Sequence, residues 1–143
     1  MEIFEPIPTV WKLIVDAVKG VPYSGWTGFS VFLIAHYIGD FFFQSRDIAT
    51  SKSSSNLSLS IHVAIYTATI LAFSFLVDFT SYQRSVFVIY NGLVHFLTDY
   101  TTSRITTAAY KKGDMTKFWD TVGFDQFIHI YTLYVLYGML INK

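Results

Sequence analysis

Four histidines and three aspartates stand in this chain at spacings that suit a metal ion. His36 precedes Asp40 by four residues, His95 precedes Asp99 by four, Asp125 precedes His129 by four, and His62 stands alone. Residues four apart on a helix share one face, with Cβ atoms roughly 5–6 Å apart, so each pair can hold a common ligand. Imidazole nitrogen together with carboxylate oxygen, in a chain that has no cysteine, is a donor set for Zn, Mn or Fe. Zn is the preferred ion, and seven donors suffice for one ion or two. A divalent ion lowers the pKa of its water to near neutrality and so supplies a nucleophile without any Ser or Cys. Asp40, Asp99 and Asp125 are then the candidate catalytic carboxylates, one of them serving as base. Gln44 and Gln126 are placed to donate to metal-bound carboxylates from outside, and Arg104 joins them as an outer residue that, like Arg46, is positioned to neutralise a phosphate.

The composition says where such a cluster would have to work. Apolar residues make up 52% of the 143 residues and aromatics 19%, against 14% charged, which is the balance of a chain that lives in a bilayer. Net charge is zero and no basic stripe with interleaved aromatics appears, so a nucleic-acid partner is excluded and the lipid bilayer is the expected one. Glu2 and Glu5 stand where a secretory leader carries positive charge, and the apolar segments are expected to be retained. Residues 1–25 read as an amphipathic interfacial segment. From Pro8 to Lys19 the charges of Lys12, Asp16 and Lys19 fall on one helical face and Trp11, Leu13, Ile14, Val15 and Val18 cover the rest. Residues 26–143 then hold four apolar spans at about 28–44, 57–77, 85–103 and 121–141. The Ser-rich stretch 49–60 is expected to be a loop, with Ser58 or Ser60 capping the second span. The stretch KKGDMTKFWD is a charged connection before the fourth span, and span three continues as helix towards Tyr110. The fold class expected is all-α, an integral membrane four-helix bundle.

Antiparallel neighbours decide the meaning of the cluster. His36 and Asp40 lie late in span one, His62 early in span two, His95 and Asp99 late in span three, Asp125 and His129 early in span four. Hairpin-linked helices bring all seven to one depth on one side. Ionisable groups inside membrane segments cost a few kcal/mol each on insertion scales and usually face inward for a reason of function. Asp40 and Asp99 also sit near helix C-termini, where a carboxylate is disfavoured unless a cation is near. That cation is expected to be the metal; salt bridges from Asp99 to Arg104 and from Asp40 to Arg46 are the alternative. Asn91 reads as helix–helix glue. More Lys and Arg lie on loops one and three (Arg46, Lys52, Arg104, Lys111, Lys112, Lys117) than on the opposite side (Lys12, Lys19, Arg84, Lys143), which puts the cluster on the cytoplasmic face of a multi-pass protein of a bacterial inner membrane.

The run AHYIGDFFFQ at 35–44, with His62, HFLTD at 95–99 and DQFIH at 125–129, resembles a family of small, functionally uncharacterised four-helix membrane proteins of bacteria and their phages, over residues 30–130 or so. More distantly the arrangement is similar to the small membrane-bound metal-dependent hydrolases, which also place His and Asp at the ends of transmembrane helices. That likeness implies a metal-dependent hydrolase acting at the membrane surface, on a lipid, lipid-linked or membrane-adjacent phosphoester or amide. Two other readings use the same residues. One is a small ion or proton carrier or channel, expected to be a homo-oligomer because four short helices enclose little volume. The other is a non-catalytic scaffold in which the polar cluster only fixes helix packing.

Overall fold

The computed structural model describes residues 25–141, with side chains from Gly28 onward; the amphipathic segment expected before residue 25 lies outside the described residues. The described residues are all helical, in the order α1 (Gly25–Tyr37), a π-helix (Ile38–Phe42), α2 (Arg46–Ser51), α3 (Asn56–Ser74), α4 (Ser81–Lys111) and α5 (Met115–Ile141). The four long elements alternate in direction, with the closest packing between α4 and α5.

Local chemistry sets the ends of these elements, and in five respects it differs from the expectation above. Span one does not continue as one α-helix. After Tyr37 the chain widens into the π-helix, closed by the Phe43 N–H donating to the Ile38 carbonyl at 2.9 Å. Such a turn inserts one extra residue and re-aims what it carries, here Asp40. The Ser-rich stretch is only partly loop, because Ser45 caps α2 by accepting from the Ile48 N–H at 3.3 Å. The cap of α3 is Ser55, which accepts from the Ser58 N–H at 3.2 Å, so the serines at 58 and 60 are already inside the helix. Helix α4 starts at Ser81, before the expected 85, because Thr80 and Gln83 form a capping box: Thr80 Oγ1 accepts from the Gln83 N–H at 3.2 Å and Gln83 Oε1 accepts from the Thr80 N–H at 2.8 Å. Lastly, the connection before α5 shrinks to residues 112–114. Gly113 takes φ 72°, the left-handed value that ends a helix at little cost for glycine, and Asp114 accepts from the Lys117 N–H at 3.0 Å to start the next.

The apolar core lies at one end of the bundle. Phe32 of α1 packs at a tilt against Phe87 of α4 with ring centroids 4.2 Å apart, stacks on Phe79 at 5.8 Å and meets Tyr137 edge-on at 5.9 Å. Tyr66, Ile70, Leu133 and Leu140 complete this layer, all nearly inaccessible. Close helix approach depends on glycine. A Cβ on Gly92 would come within 2.7 Å of Thr67 Oγ1 on α3, and one on Gly39 within 3.2 Å of the Tyr66 Cα. Gly92→Leu is therefore expected to push α4 off α3. Overpacking of this kind costs about 1–3 kcal/mol, read as a lower thermal midpoint of the purified protein; an unchanged midpoint would contradict the contact.

Among the described residues, Asn56–Ser74 is the one helix long and apolar enough to cross a membrane by length and composition; a shorter apolar run covers Gly28–Phe42.

Candidate metal centre

The seven residues singled out by spacing come together. His36 arrives from the last turn of α1, Asp40 from the π-helix, His62 from α3, His95 and Asp99 from α4, Asp125 and His129 from α5. All are buried except Asp125, whose side chain is 14% exposed, against 5% for Asp40 and 3% for Asp99.

Four donor atoms define the tightest part. His62 Nε2 lies 3.1 Å from Asp40 Oδ1, 3.2 Å from Asp99 Oδ2 and 3.0 Å from His95 Nε2. His95 Nε2 lies 3.6 Å from Asp40 Oδ1 and 3.7 Å from Asp99 Oδ2. In a tetrahedral site with bonds of about 2.1 Å the ligand atoms stand roughly 3.4 Å from one another. The five separations bracket that figure, so these residues fit an ion with little rearrangement. Two further groups of three adjoin this one, His36 with Asp40 and His129, and Asp99 with Asp125 and His129; in every group the ligand atoms lie within 4.8 Å of one another. Asp40 and Asp99 each belong to two groups, as a carboxylate bridging two ions would.

Hydrogen bonding supports the same fit. Both ring nitrogens of His129 and Nδ1 of His36 are buried without a hydrogen-bond partner, which is costly for a polar atom unless another ligand satisfies it. The two glutamines act on the cluster from outside. Gln126 accepts from His36 Nε2 at 3.0 Å through its carbonyl and donates to Asp40 Oδ2 and Asp125 Oδ2 at 3.0 Å each. This leaves Nδ1 as the uncommitted nitrogen of His36. Gln44 lies 3.1 Å from His62 Nδ1 through its amide nitrogen. Turning that amide over presents its oxygen to an Nδ1–H, the tautomer that frees Nε2 for coordination. Rings hold the imidazoles in plane: Tyr66 stacks on His95 at 3.9 Å, and His95 on His129 at 4.2 Å.

Arg104 is turned elsewhere. It donates to Asn56 Oδ1 at 2.8 Å and to the Tyr100 carbonyl at 2.6 Å, with its guanidinium 3.7 Å above the Tyr100 ring. Asp99 takes its cation from Lys52, whose Nζ is 2.8 Å from Asp99 Oδ2. Asp40 has the histidines and Gln126 as its partners. Asn91 donates to the carbonyl of Phe87, on its own helix, at 2.8 Å, and so is not the interhelical link expected of it. Sequence reading missed Lys52, which counted there only as a loop charge. It also missed Thr102, whose hydroxyl donates to Asp125 Oδ1. Thr102 sits three residues beyond Asp99, on the same helical face, and that spacing was the available signal.

A cavity of about 170 Å³ reaches the cluster from the side of α2, lined by Asp40, Asp99, Asp125, both glutamines, Lys52 and Ser103 among others. On the opposite side the aromatic layer around Phe32, Phe87 and Tyr137 closes the bundle. Access to the site is from one end.

Residues 29–143 match the family DUF3307, described as protein of unknown function. No curated protein and no solved structure matches the chain.

Proposed function

We propose that this chain, which belongs to the DUF3307 family, is a membrane-embedded metal-binding protein whose His/Asp centre hydrolyses a substrate reaching it from one face of the bilayer. The observation that carries the reading is the close convergence of Asp40, His62, His95 and Asp99, four donors from three elements, beside three more candidate ligands and an open cavity.

The distribution of polarity supports the membrane. Ile61, Leu71, Phe75, Ile89, Leu93, Leu97, Phe127 and Met139 are exposed along three helices, while the histidines, Asn91, Asp40 and Asp99 are buried. Water-facing proteins rarely leave so much contiguous apolar surface bare. The lengths agree with it. Helix α3 has 19 residues, about 28 Å at 1.5 Å per residue, close to the roughly 30 Å of a hydrocarbon core. Helices α4 and α5, with 31 and 27 residues, would continue past the bilayer on the side of Lys111 and Met115. His62 stands six residues into α3, so the site would lie about 9 Å below that surface.

The residues divide the work by position. His36, His62, His95, His129, Asp40, Asp99 and Asp125 would hold one or two ions of Zn, Mn or Fe, the ion supplying Lewis acidity to the substrate and its water. Gln126 and Gln44 fix the orientation of the ligands. Asp125, the most accessible carboxylate, faces the cavity and takes up the proton of an entering water. The aromatic layer argues against a carrier, which needs its site reachable from both sides.

Metal analysis by mass spectrometry on detergent-purified protein tests this. Wild type is expected to hold Zn, Mn or Fe in stoichiometric amount, and His95→Ala and Asp125→Ala to lose it or retain a fraction. Absence of metal from folded wild type after supplementation would replace the reading with a structural polar core.

A further inference from the structure

The cavity beside the ligands contains two groups that the metal centre does not explain. Lys52 Nζ is the cation at its wall, 18% exposed and bound to Asp99 Oδ2 at 2.8 Å. Ser103 is 9% exposed, and its hydroxyl is buried without a hydrogen-bond partner, although the residue lines the same cavity. Lys52 and Ser103 both line the space of about 170 Å³, the lysine with donors to spare beyond its bond to Asp99 and the serine with a hydroxyl that has no partner. Donors of this kind suit an anion with several oxygens.

We infer that Lys52 and Ser103 form a phosphoryl-binding subsite of the cavity, and that the substrate is a phosphate monoester. This rests on the hydrolase reading above and narrows its substrate. An amide carbonyl offers one uncharged oxygen and leaves Lys52 without a role, whereas a phosphoryl group spreads negative charge over several oxygens that need neutralising together. In the reaction the oxygen of a water bonds to phosphorus as the bond from phosphorus to the ester oxygen breaks. The electron pair leaves with that oxygen, which takes up a proton, so ester and water become alcohol and phosphate. Asp99 positions Lys52 while the cavity is empty of anion. With an ion held by the same carboxylate, the Lys52 ammonium would be free to turn towards the substrate. The cavity admits a headgroup and little more, so the alcohol part of the ester remains at its mouth.

The assay is binding of inorganic phosphate, by calorimetry, to full-length detergent-purified protein freed of unbound metal, with bound metal counted in the same samples. Wild type is expected to bind phosphate. Lys52→Met, supplemented until it holds the same metal count as wild type, is expected to bind it at least tenfold more weakly, the size of one lost charge-assisted hydrogen bond. Lys52→Arg is expected to retain most of the affinity, and Ser103→Ala to lose a few fold. Metal retained with equal phosphate affinity in wild type and Lys52→Met would overturn the subsite and leave the metal centre standing. Phosphate binding that depends on Lys52 in a chain without metal would do the reverse. A wild type that binds no phosphate overturns the subsite outright. Competition by glycerol phosphate and by phosphatidic acid in nanodiscs then separates a soluble ester from a lipid headgroup.

Discussion

Asp99→Asn and Asp40→Asn, each made singly, are expected to remove most of the metal by breaking two of the three ligand groups, whereas His36→Ala breaks one and is expected to remove less. The difference follows from sharing. Asp99 and Asp40 each serve two of the three ligand groups, and His36 serves one. Asparagine keeps the size of the side chain and can still accept from Lys52, so the packing around position 99 survives while the charge that holds a divalent ion is gone. Loss of an outer partner alone typically lowers metal affinity 10- to 100-fold, and loss of a shared carboxylate is expected to exceed that. Ion counts per chain after dialysis check it. If Asp99→Asn keeps the wild-type complement, the four-donor convergence is a hydrogen-bonded core and the centre has been assigned wrongly.

Gln126→Leu is expected to have the next largest effect, a 10- to 100-fold fall in metal affinity measured by competition with a chelator. No ligand is deleted. The side chain links His36, Asp40 and Asp125 across two elements through three hydrogen bonds of 3.0 Å, and leucine is a good helix former that occupies similar space. Its removal leaves two carboxylates and one imidazole free to turn from the ion. Gln44→Leu should cost less, since Gln44 steadies His62 alone. Equal effects from the two substitutions would mean that the bridging geometry of Gln126 has no part in holding the ion.

What could be read from the residues in order was the set of elements and the side on which the ligands gather. Spacing of four is a helical fact, and the alternation of late and early positions from span to span can place seven side chains at one depth before any contact is known. Both glutamines were legible for the same reason, each lying within four residues of a ligand. The capping box at Thr80 was equally available in the sequence, as a Thr followed three residues later by Gln, and went unread because an apolar pattern draws attention to its centre and not to its ends. The π-turn at Asp40 was not legible. It depends on the space that Gly39 leaves against Tyr66 on α3, a contact between segments far apart in the chain.

The amino-acid sequence by itself therefore determined the four long helices, their antiparallel order and which His and Asp side chains gather, because these follow from local periodicity and short connections. Only the tertiary structure decided which cation answers Asp99. Arg104 stands nearer in sequence but is carried round its helix to Asn56 and Tyr100, while Lys52 is folded back over the cluster by the short helix α2. Helical geometry relates a residue to its fourth neighbour, whereas the meeting of a loop side chain with a carboxylate 47 residues away depends on how whole elements pack.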